Sequence, residues 1–289
     1  MILGFSESAL QAQALAAALD LPYAQVAVHR FPDGESRVCV PQPAAGHVLL
    51  FRSLDHPNDK LVELLLAAQT LRQGGARRLT LVAPYLCYMR QDIAFHPGEA
   101  VSQRIVGGFL AGLFDDVVTV DPHLHRVSRL EEAVPAGNAV CLTAAPLFGD
   151  YLAAERDALL IGPDEESAQW VGAMAAASGL EHVIASKQRN GDRDVVIQLP
   201  EAALAGRKVV LADDMASTGH TLAAIARQLI AAGVSEVDAL ITHALFVGDA
   251  LEVLRSAGVS RIGSSDSIPH PSNVVQLAPL LADAVRRLP

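Results

Sequence analysis

Cysteine is scarce in this chain: Cys39, Cys87 and Cys141 stand far apart among 289 residues, with no C-x-x-C pair. That spacing excludes a disulfide framework and a zinc-ligand rhythm, and it assigns the three thiols to a reduced interior. Positive charge is also short, with 22 Lys and Arg against 32 Asp and Glu and a formal net charge of -10. A nucleic-acid or anionic-membrane surface needs a basic face, so neither partner is expected. Phosphates, if bound, must be held by local groups. No apolar run approaches the roughly 20 residues of a membrane span. The opening stretch MILGFSESALQAQALAAALDLP lacks the basic flank and unbroken apolar centre of a signal peptide, so a soluble cytoplasmic protein is expected.

What is present is a core. The chain is 51% hydrophobic, enough for two domains of ordinary size. Short apolar runs alternate with Ala- and Leu-rich helical patterns, the rhythm of βαβ units and a mainly parallel sheet. Strands are expected at 1–4, 48–51, 79–83, 116–120, 157–162, 209–212, 237–242 and 261–264. Helices are expected at 7–19, 59–74, 102–113, 166–178, 221–232 and 249–257. An internal echo links GARRLTLVAPYL, a helix and FDDVVTVDPHLH to GRKVVLADDMAS, a helix and VSEVDALITHAL. It supports two similar halves, divided as 1–145 and 146–289.

The stretch RKVVLADDMASTGHTL, positions 207 to 222, concentrates chemistry. Val209 to Ala212 read as a buried parallel strand, and Leu222, Ala223, Ile225, Ala226, Leu229 and Ile230 recur at helical spacing. The loop between them falls at the carboxyl end of a strand, where open α/β sheets bind ligands. Ser217, Thr218, Gly219 and Thr221 are small enough for the backbone to curl round a phosphate at a helix N-terminus. Asp213 and Asp214 would repel that phosphate, so the ligand should also carry hydroxyls or a bound cation. A sugar phosphate meets both demands. The same residues also read as an Asp-rich turn closed by a Ser/Thr helix cap.

VVLADDMASTGHT resembles the phosphoribosyl diphosphate loop of type I phosphoribosyltransferases and ribose-phosphate diphosphokinases. The resemblance implies that Asp213 and Asp214 hold the ribose 2- and 3-hydroxyls, and that Ser217, Thr218, Gly219, His220 and Thr221 cradle the 5-phosphate. Further segments then follow in the order of the diphosphokinase family. FPDGE at 31–35, a turn signal on its own, is similar to the family stretch that contacts the adenine of ATP from a neighbouring subunit, which implies ATP contacts for Phe31, Asp33 and Glu35. APYLCYMRQDIAFHPGEAVS at 83–102 resembles the ATP-binding Arg-Gln-Asp segment in its archaeal-type form and gives Arg90, Gln91 and Asp92. VDPHLHR at 120–126 resembles the family's Asp-Leu-His or Asn-Pro-His, with His123 near magnesium and triphosphate. There the chain departs, carrying Arg126 and Val127 where the family has Gln.

IGPDEESAQW resembles the family's Pro-Asp-Gly-Gly segment, with Asp164 as a magnesium contact, but Glu165, Glu166 and Ser167 replace its glycines. Acids at a helix N-terminus account for them equally. SKQRNGDRD, read as a loop, matches the catalytic loop in Lys187 and Arg189, whose charges would stabilise phosphoryl transfer. The resemblance spans nearly the whole chain through THALFVGDALEVL and SDSIPHP. It implies two tandem type I phosphoribosyltransferase-like domains, each a mainly parallel sheet flanked by helices. It implies further an Mg²⁺-dependent transfer from ATP to ribose 5-phosphate in a homo-oligomer, dimer or hexamer. A phosphoribosyltransferase and a non-catalytic regulatory homologue are the alternatives.

Overall fold

The computed structural model describes residues 1–42, 45–124, 126–189, 195–198 and 204–289, with backbone only for 187–189 and 195–198. They form two compact units. The first comprises Met1–Leu142, Ser267–Pro269 and Leu277–Pro289; the second comprises Thr143–Asp266 and His270–Gln276. Among the described residues no helix is long and apolar enough to cross a membrane.

Unit 1 opens with β1 (Ile2–Gly4), α1 (Ala9–Leu19) and β2 (Tyr23–Gln25), then the pair β3 (Ala27–Arg30) and β4 (Ser36–Cys39). It continues with β5 (Gly46–Phe51), α2 (Pro57–Gln73), β6 (Ala76–Val82), α3 (Ser102–Ala111), β7 (Asp116–Val120), α4 (Leu130–Ala133) and β8 (Asn138–Leu142). Its sheet runs β2-β1-β5-β6-β7-β8, parallel at every pairing. The central strands β1, β5, β6 and β7 are short apolar runs buried on both faces over most of their length, as helix-covered parallel sheets require, while the edge strands β2 and β8 are partly exposed.

Unit 2 repeats the plan. It contains α5 (Ala145–Leu152), β9 (Leu159–Gly162), α6 (Ala168–Ser178), β10 (Glu181–Ile184), β11 (Ser186–Arg189) and β12 (Val195–Gln198). Then come β13 (Lys208–Ala216), α7 (His220–Ala231), β14 (Glu236–Ala244), α8 (Ala250–Ser256), β15 (Val259–Ser265) and β16 (Asn273–Val275). The parallel sheet runs β10-β9-β13-β14-β15-β16. The apolar face of α7, Leu222, Ala223, Ile225, Ala226 and Leu229, is wholly buried against this sheet. Each of its larger side chains contributes about 1.5–3 kcal/mol on burial.

The units complete themselves reciprocally. After the last strand of unit 1 the chain enters α5, which packs on α6 and β16 in unit 2. After the last strand of unit 2 it enters α9 (Ala278–Arg286), which packs on α1, β7 and β8 in unit 1. Neither helix is among those expected from the sequence.

Three expectations need correction. Cys87 is buried, but Cys39 and Cys141 are exposed on β4 and β8, the short pair and an edge strand, so only one thiol belongs to the interior. The segment read as a loop around Lys187 is strand β11, antiparallel to β12 with Lys187 opposite Ile197 and Arg189 opposite Val195. Strand β13 runs four residues beyond Ala212. Its ladder with β14 continues to Ala216 opposite Ala244, and these backbone bonds outweigh the poor strand propensity of two aspartates.

Candidate active site

In unit 2 the sheet reverses its order between β9 and β13, and the carboxyl edge at such a point is where α/β sheets leave a crevice. The pairing of β13 with β9 stops at Leu211 opposite Ile161, whereas its pairing with β14 goes on. From Asp213 onward one flank of β13 therefore has no strand paired to it among the described residues. Asp213 lies on this unpaired stretch, and its Oδ1 accepts the Asp214 backbone N–H at 3.0 Å. Burial pushes the Asp213 pKa well above its ordinary 3.8, and the neighbouring carboxylates of Asp214 and Asp164 push it further. Three acids from two strand ends thus share one electrostatic field.

Asp164 follows β9 and caps the short helix Glu165–Ser167, accepting the Ser167 N–H on Oδ1 at 3.3 Å. This accounts for the departure at Glu165, Glu166 and Ser167. Ser167 in turn requires Gly162, since a Cβ there would stand 2.2 Å from the Ser167 hydroxyl oxygen. The acids begin a helical turn, as the residue pattern alone also allows.

Beyond Ala216 the chain turns through Ser217 and Thr218 into Gly219, at φ 73°, and α7 begins at His220. A side chain at Gly219 would be strained by that φ and would also press on the Ala250 carbonyl at 3.2 Å. The first bond within the helix joins Ala223 N–H to Gly219 O at 2.9 Å, so the amides of His220, Thr221 and Leu222 have no acceptor within α7. Thr218, His220 and Thr221 are exposed, and Ser217 is half-buried. The loop is held from behind by a segment to which the sequence reading gave no role. Phe246 N–H donates to Ala216 O and Val247 N–H to Ser217 O, both at 2.9 Å, while the Phe246 ring meets His270 at 5.0 Å. The signal available for it was THALFVGD and SIPHP following the second echo.

The side chains of Lys187 and Arg189 lie outside the described residues, as do residues 190–194 of the same segment.

In unit 1, Phe31–Glu35 closes the β3–β4 hairpin: Phe31 N–H donates to Glu35 O at 2.8 Å, and Glu35 N–H donates to Asp33 Oδ1 at 3.2 Å. Phe31, Asp33 and Glu35 are all exposed, and the Phe31 ring stands edge-on to His29 at 4.8 Å. The Arg90–Asp92 segment follows β6. Gln91 is fixed to the start of α3 by Ser102 Oγ on its side chain and Gln103 N–H on its carbonyl at 3.1 Å; Arg90 is exposed. The Asp92 side chain is 4% exposed and accepts Arg126 Nη1 at 2.6 Å. The residue that departs from the family pattern is therefore the partner of the Arg-Gln-Asp carboxylate. His123 is half-buried in the loop after β7, two residues beyond Asp121, which has φ 38° and donates its N–H to Leu142 O at 2.8 Å.

Among the described residues no cluster of three or more His, Cys, Asp or Glu forms an all-protein metal cage. Mg²⁺ is commonly held by one or two carboxylates together with substrate phosphates and water, and the hard oxygen donors crowded around Asp213 suit such a cation.

Comparison with known proteins places this arrangement. Residues 1–112 match the N-terminal domain of ribose phosphate pyrophosphokinase, and residues 137–276 match the phosphoribosyl transferase domain. The chain is 36% identical over 293 residues to the ribose-phosphate pyrophosphokinase of Methanopyrus kandleri, covering 100% of this chain and 99% of that one. It is 32% identical over 288 residues to the Methanothermobacter thermautotrophicus protein of the same name, covering 99% and 100%. The fold matches the crystal structure of phosphoribosylpyrophosphate synthetase from Mycobacterium smegmatis with a TM-score of 0.84 at 24% identity, over 99% of this chain and 97% of that one. With both domains matched in order and relatives aligned from end to end, the chain belongs to the ribose-phosphate pyrophosphokinase family.

Proposed function

We propose that the protein transfers the β,γ-diphosphoryl group of ATP to the 1-hydroxyl of ribose 5-phosphate, giving 5-phosphoribosyl 1-diphosphate and AMP. The observation that carries the reading is the end of β13, where adjacent carboxylates lead within a few residues to a glycine-started helix N-terminus. Such a site offers acceptors to a polyol and amide donors to a phosphate at the two ends of one small ligand.

Asp213 and Asp214 orient the ribose hydroxyls, and Ser217, Thr218, Gly219, His220 and Thr221 take the 5-phosphate. Phe31, Asp33 and Glu35 with Arg90, Gln91 and Asp92 bind the nucleotide. The 1-hydroxyl oxygen attacks the β-phosphorus in line and releases its proton to solvent, the bond from the β-phosphorus to the oxygen shared with the α-phosphorus breaks, and AMP leaves with that oxygen. Catalysis is mostly positioning and charge stabilisation. Lys187 and Arg189 neutralise the charge that builds on the moving group. Mg²⁺, when bound with the nucleotide, supplies neutralisation of the phosphate oxygens. His123 in unit 1 and Asp164 in unit 2 are each candidates to hold it, directly or through water. A homo-oligomer completes the nucleotide site.

The test is AMP formation from ATP with ribose 5-phosphate and Mg²⁺, with the sugar product identified by phosphorus NMR. Expected is one 5-phosphoribosyl 1-diphosphate per AMP. Consumption of that compound with a nucleobase, and no AMP formation, would overturn the reading in favour of a phosphoribosyltransferase.

A further inference from the structure

The sheet of unit 1 reverses its order between β1 and β5, the position in the strand order that carries the acids between β9 and β13 of unit 2. Unit 2 crowds carboxylates there, and unit 1 fills the place with its own guanidinium. Arg52, the first residue after β5, is 2% exposed and lies 3.8 Å over the Phe5 ring. Its Nε donates to Glu7 Oε1 at 2.7 Å, its Nη1 to the Lys60 carbonyl at 3.1 Å, and its Nη2 to Glu63 Oε2. Glu63, on α2, is 1% exposed. A carboxylate so buried is tolerable only when its oxygens are well supplied with donors.

The second oxygen of Glu63 turns to the hairpin. Oε1 accepts Arg30 Nη2 at 3.3 Å, Arg30 Nε at 3.4 Å and Ser36 Oγ at 3.1 Å. Arg30 and Ser36 face each other across the last rung of β3 and β4, the rung that closes onto Phe31–Glu35. Arg30 also reaches Asp59 on the same helix, Nη1 to Oδ2 at 3.3 Å. Among the described residues the two strands pair only with each other. A lone two-stranded hairpin is marginal in water, so its direction must be set from its base. One buried oxygen gripping both strands at one rung fixes the hairpin's position and its twist together. A cleft of about 330 Å³ lies alongside, between the hairpin and the Arg52 cluster.

We propose that Glu63 is a positioning residue for the nucleotide donor. It clamps Arg30 and Ser36 and so aims Phe31, Asp33 and Glu35, while the hydrogen bond from Arg52 holds it in place. This rests on the nucleotide role given to the hairpin above.

The variant that removes the clamp is Arg30→Ala with Ser36→Ala, which takes the donors from Glu63 Oε1 and leaves the Arg52 bond to Oε2. Two readouts are taken beside wild type: steady-state constants for both substrates, and hydrogen exchange of the β3 and β4 amides. Expected are hairpin exchange faster by about tenfold or more and a KM for ATP raised about tenfold, with KM for ribose 5-phosphate and saturated turnover within about twofold. Arg30→Lys alone should recover most of the ATP constant. Unchanged hairpin exchange would overturn the clamp, and so would an equal rise in both KM values. If wild type itself releases no AMP, the functional reading falls, and the exchange measurement still decides whether Glu63 holds the hairpin.

Discussion

Asp213→Asn should make the protein more stable and less active, and the structure gives the sign of both effects. The Asn side chain can still accept the Asp214 N–H that Asp213 Oδ1 takes at 3.0 Å, so the strand end keeps its geometry while the charge is removed. In the parent, burial and then Asp214 and Asp164 raise the Asp213 pKa well above 3.8. An acid with a raised folded-state pKa binds more protons folded than unfolded at pH values between the two, so its ionisation lowers stability as pH rises through that interval. Relief of this strain in Asp213→Asn should be on the order of 1 kcal/mol at neutral pH, the usual gain from neutralising a functional-site conflict. That corresponds to roughly 2–4 °C in melting temperature for a domain of this size. The difference should shrink towards zero in acid, where the parent carboxyl is protonated in both states. Loss of a charged acceptor for a ribose hydroxyl should cost about 1.5–3 kcal/mol of binding, or roughly 10- to 150-fold in kcat/KM for ribose 5-phosphate. Calorimetry in EDTA without substrate, from pH 4 to 8, gives the first quantity and AMP release the second. A lower melting temperature at neutral pH, or a shift independent of pH, would refute the electrostatic reasoning; unchanged kcat/KM would remove the sugar assignment.

Lys187→Ala and Arg189→Ala should each lower turnover by about 100-fold or more with small changes in either KM, as the proposed action of their charges on the transition state requires; lost ATP binding with normal saturated turnover would make this a binding segment. Phe31→Ala should weaken ATP use more than ribose 5-phosphate use, and, with the nucleotide site shared in the proposed homo-oligomer, specific activity should fall on dilution; a fully active monomer by light scattering excludes a shared nucleotide site. Asp116 is fully buried and accepts Arg78, Asn138 and Thr80 at 2.7 Å, bonds that outweigh its burial and hold its pKa below the ordinary 3.8. Asp116→Ala should therefore cost about 3 kcal/mol in urea unfolding at neutral pH, with the deficit narrowing as acid protonates the parent; a deficit that is the same at low pH would show that packing, and not charge, is lost.

The sheets were legible wherever burial imposes one answer. Val48 to Phe51, Asp116 to Val120 and Val237 to Thr242 are apolar runs too short for helices, and all lie in central parallel strands. The hairpin strands AVHR and SRVC were not legible, because both are largely exposed and show no alternation; only the turn between them announces itself, through Pro32, Asp33 and Gly34. The α9 pattern was readable in principle, since Leu281, Ala282 and Val285 recur at helical spacing and are buried. Its return to unit 1 was not, because no local signal says which sheet a terminal helix will cover. In the site, Asp213, Asp214 and Gly219 could be named from residue type and order. The extension of β13 through the aspartates depends on β14 outlasting β9, a tertiary fact with no mark in the strand's own sequence. The pairing of Arg126 with Asp92 is of the same kind, joining loops 34 residues apart.

On the proposed function, the duplicated plan lets one half bind a sugar phosphate while the other serves differently. Both units place a strand-order reversal at the same point in the sheet, so both have the carboxyl-edge position at which such sheets bind ligands. Scaffold geometry cannot therefore decide which one takes the sugar. The side chains at the two strand ends can. In unit 2 burial, and then the carboxylates of Asp214 and Asp164, raise the Asp213 pKa, a conflict that a polyol or a cation relieves. In unit 1 Arg52 is already satisfied by Glu7, Glu63 and the Lys60 carbonyl, and a ligand there would have to displace bonds to a guanidinium with almost no access to water. The electrostatic conflict that destabilises unit 2 is thus what makes it receptive, and the neutralised crevice of unit 1 is free to anchor the hairpin.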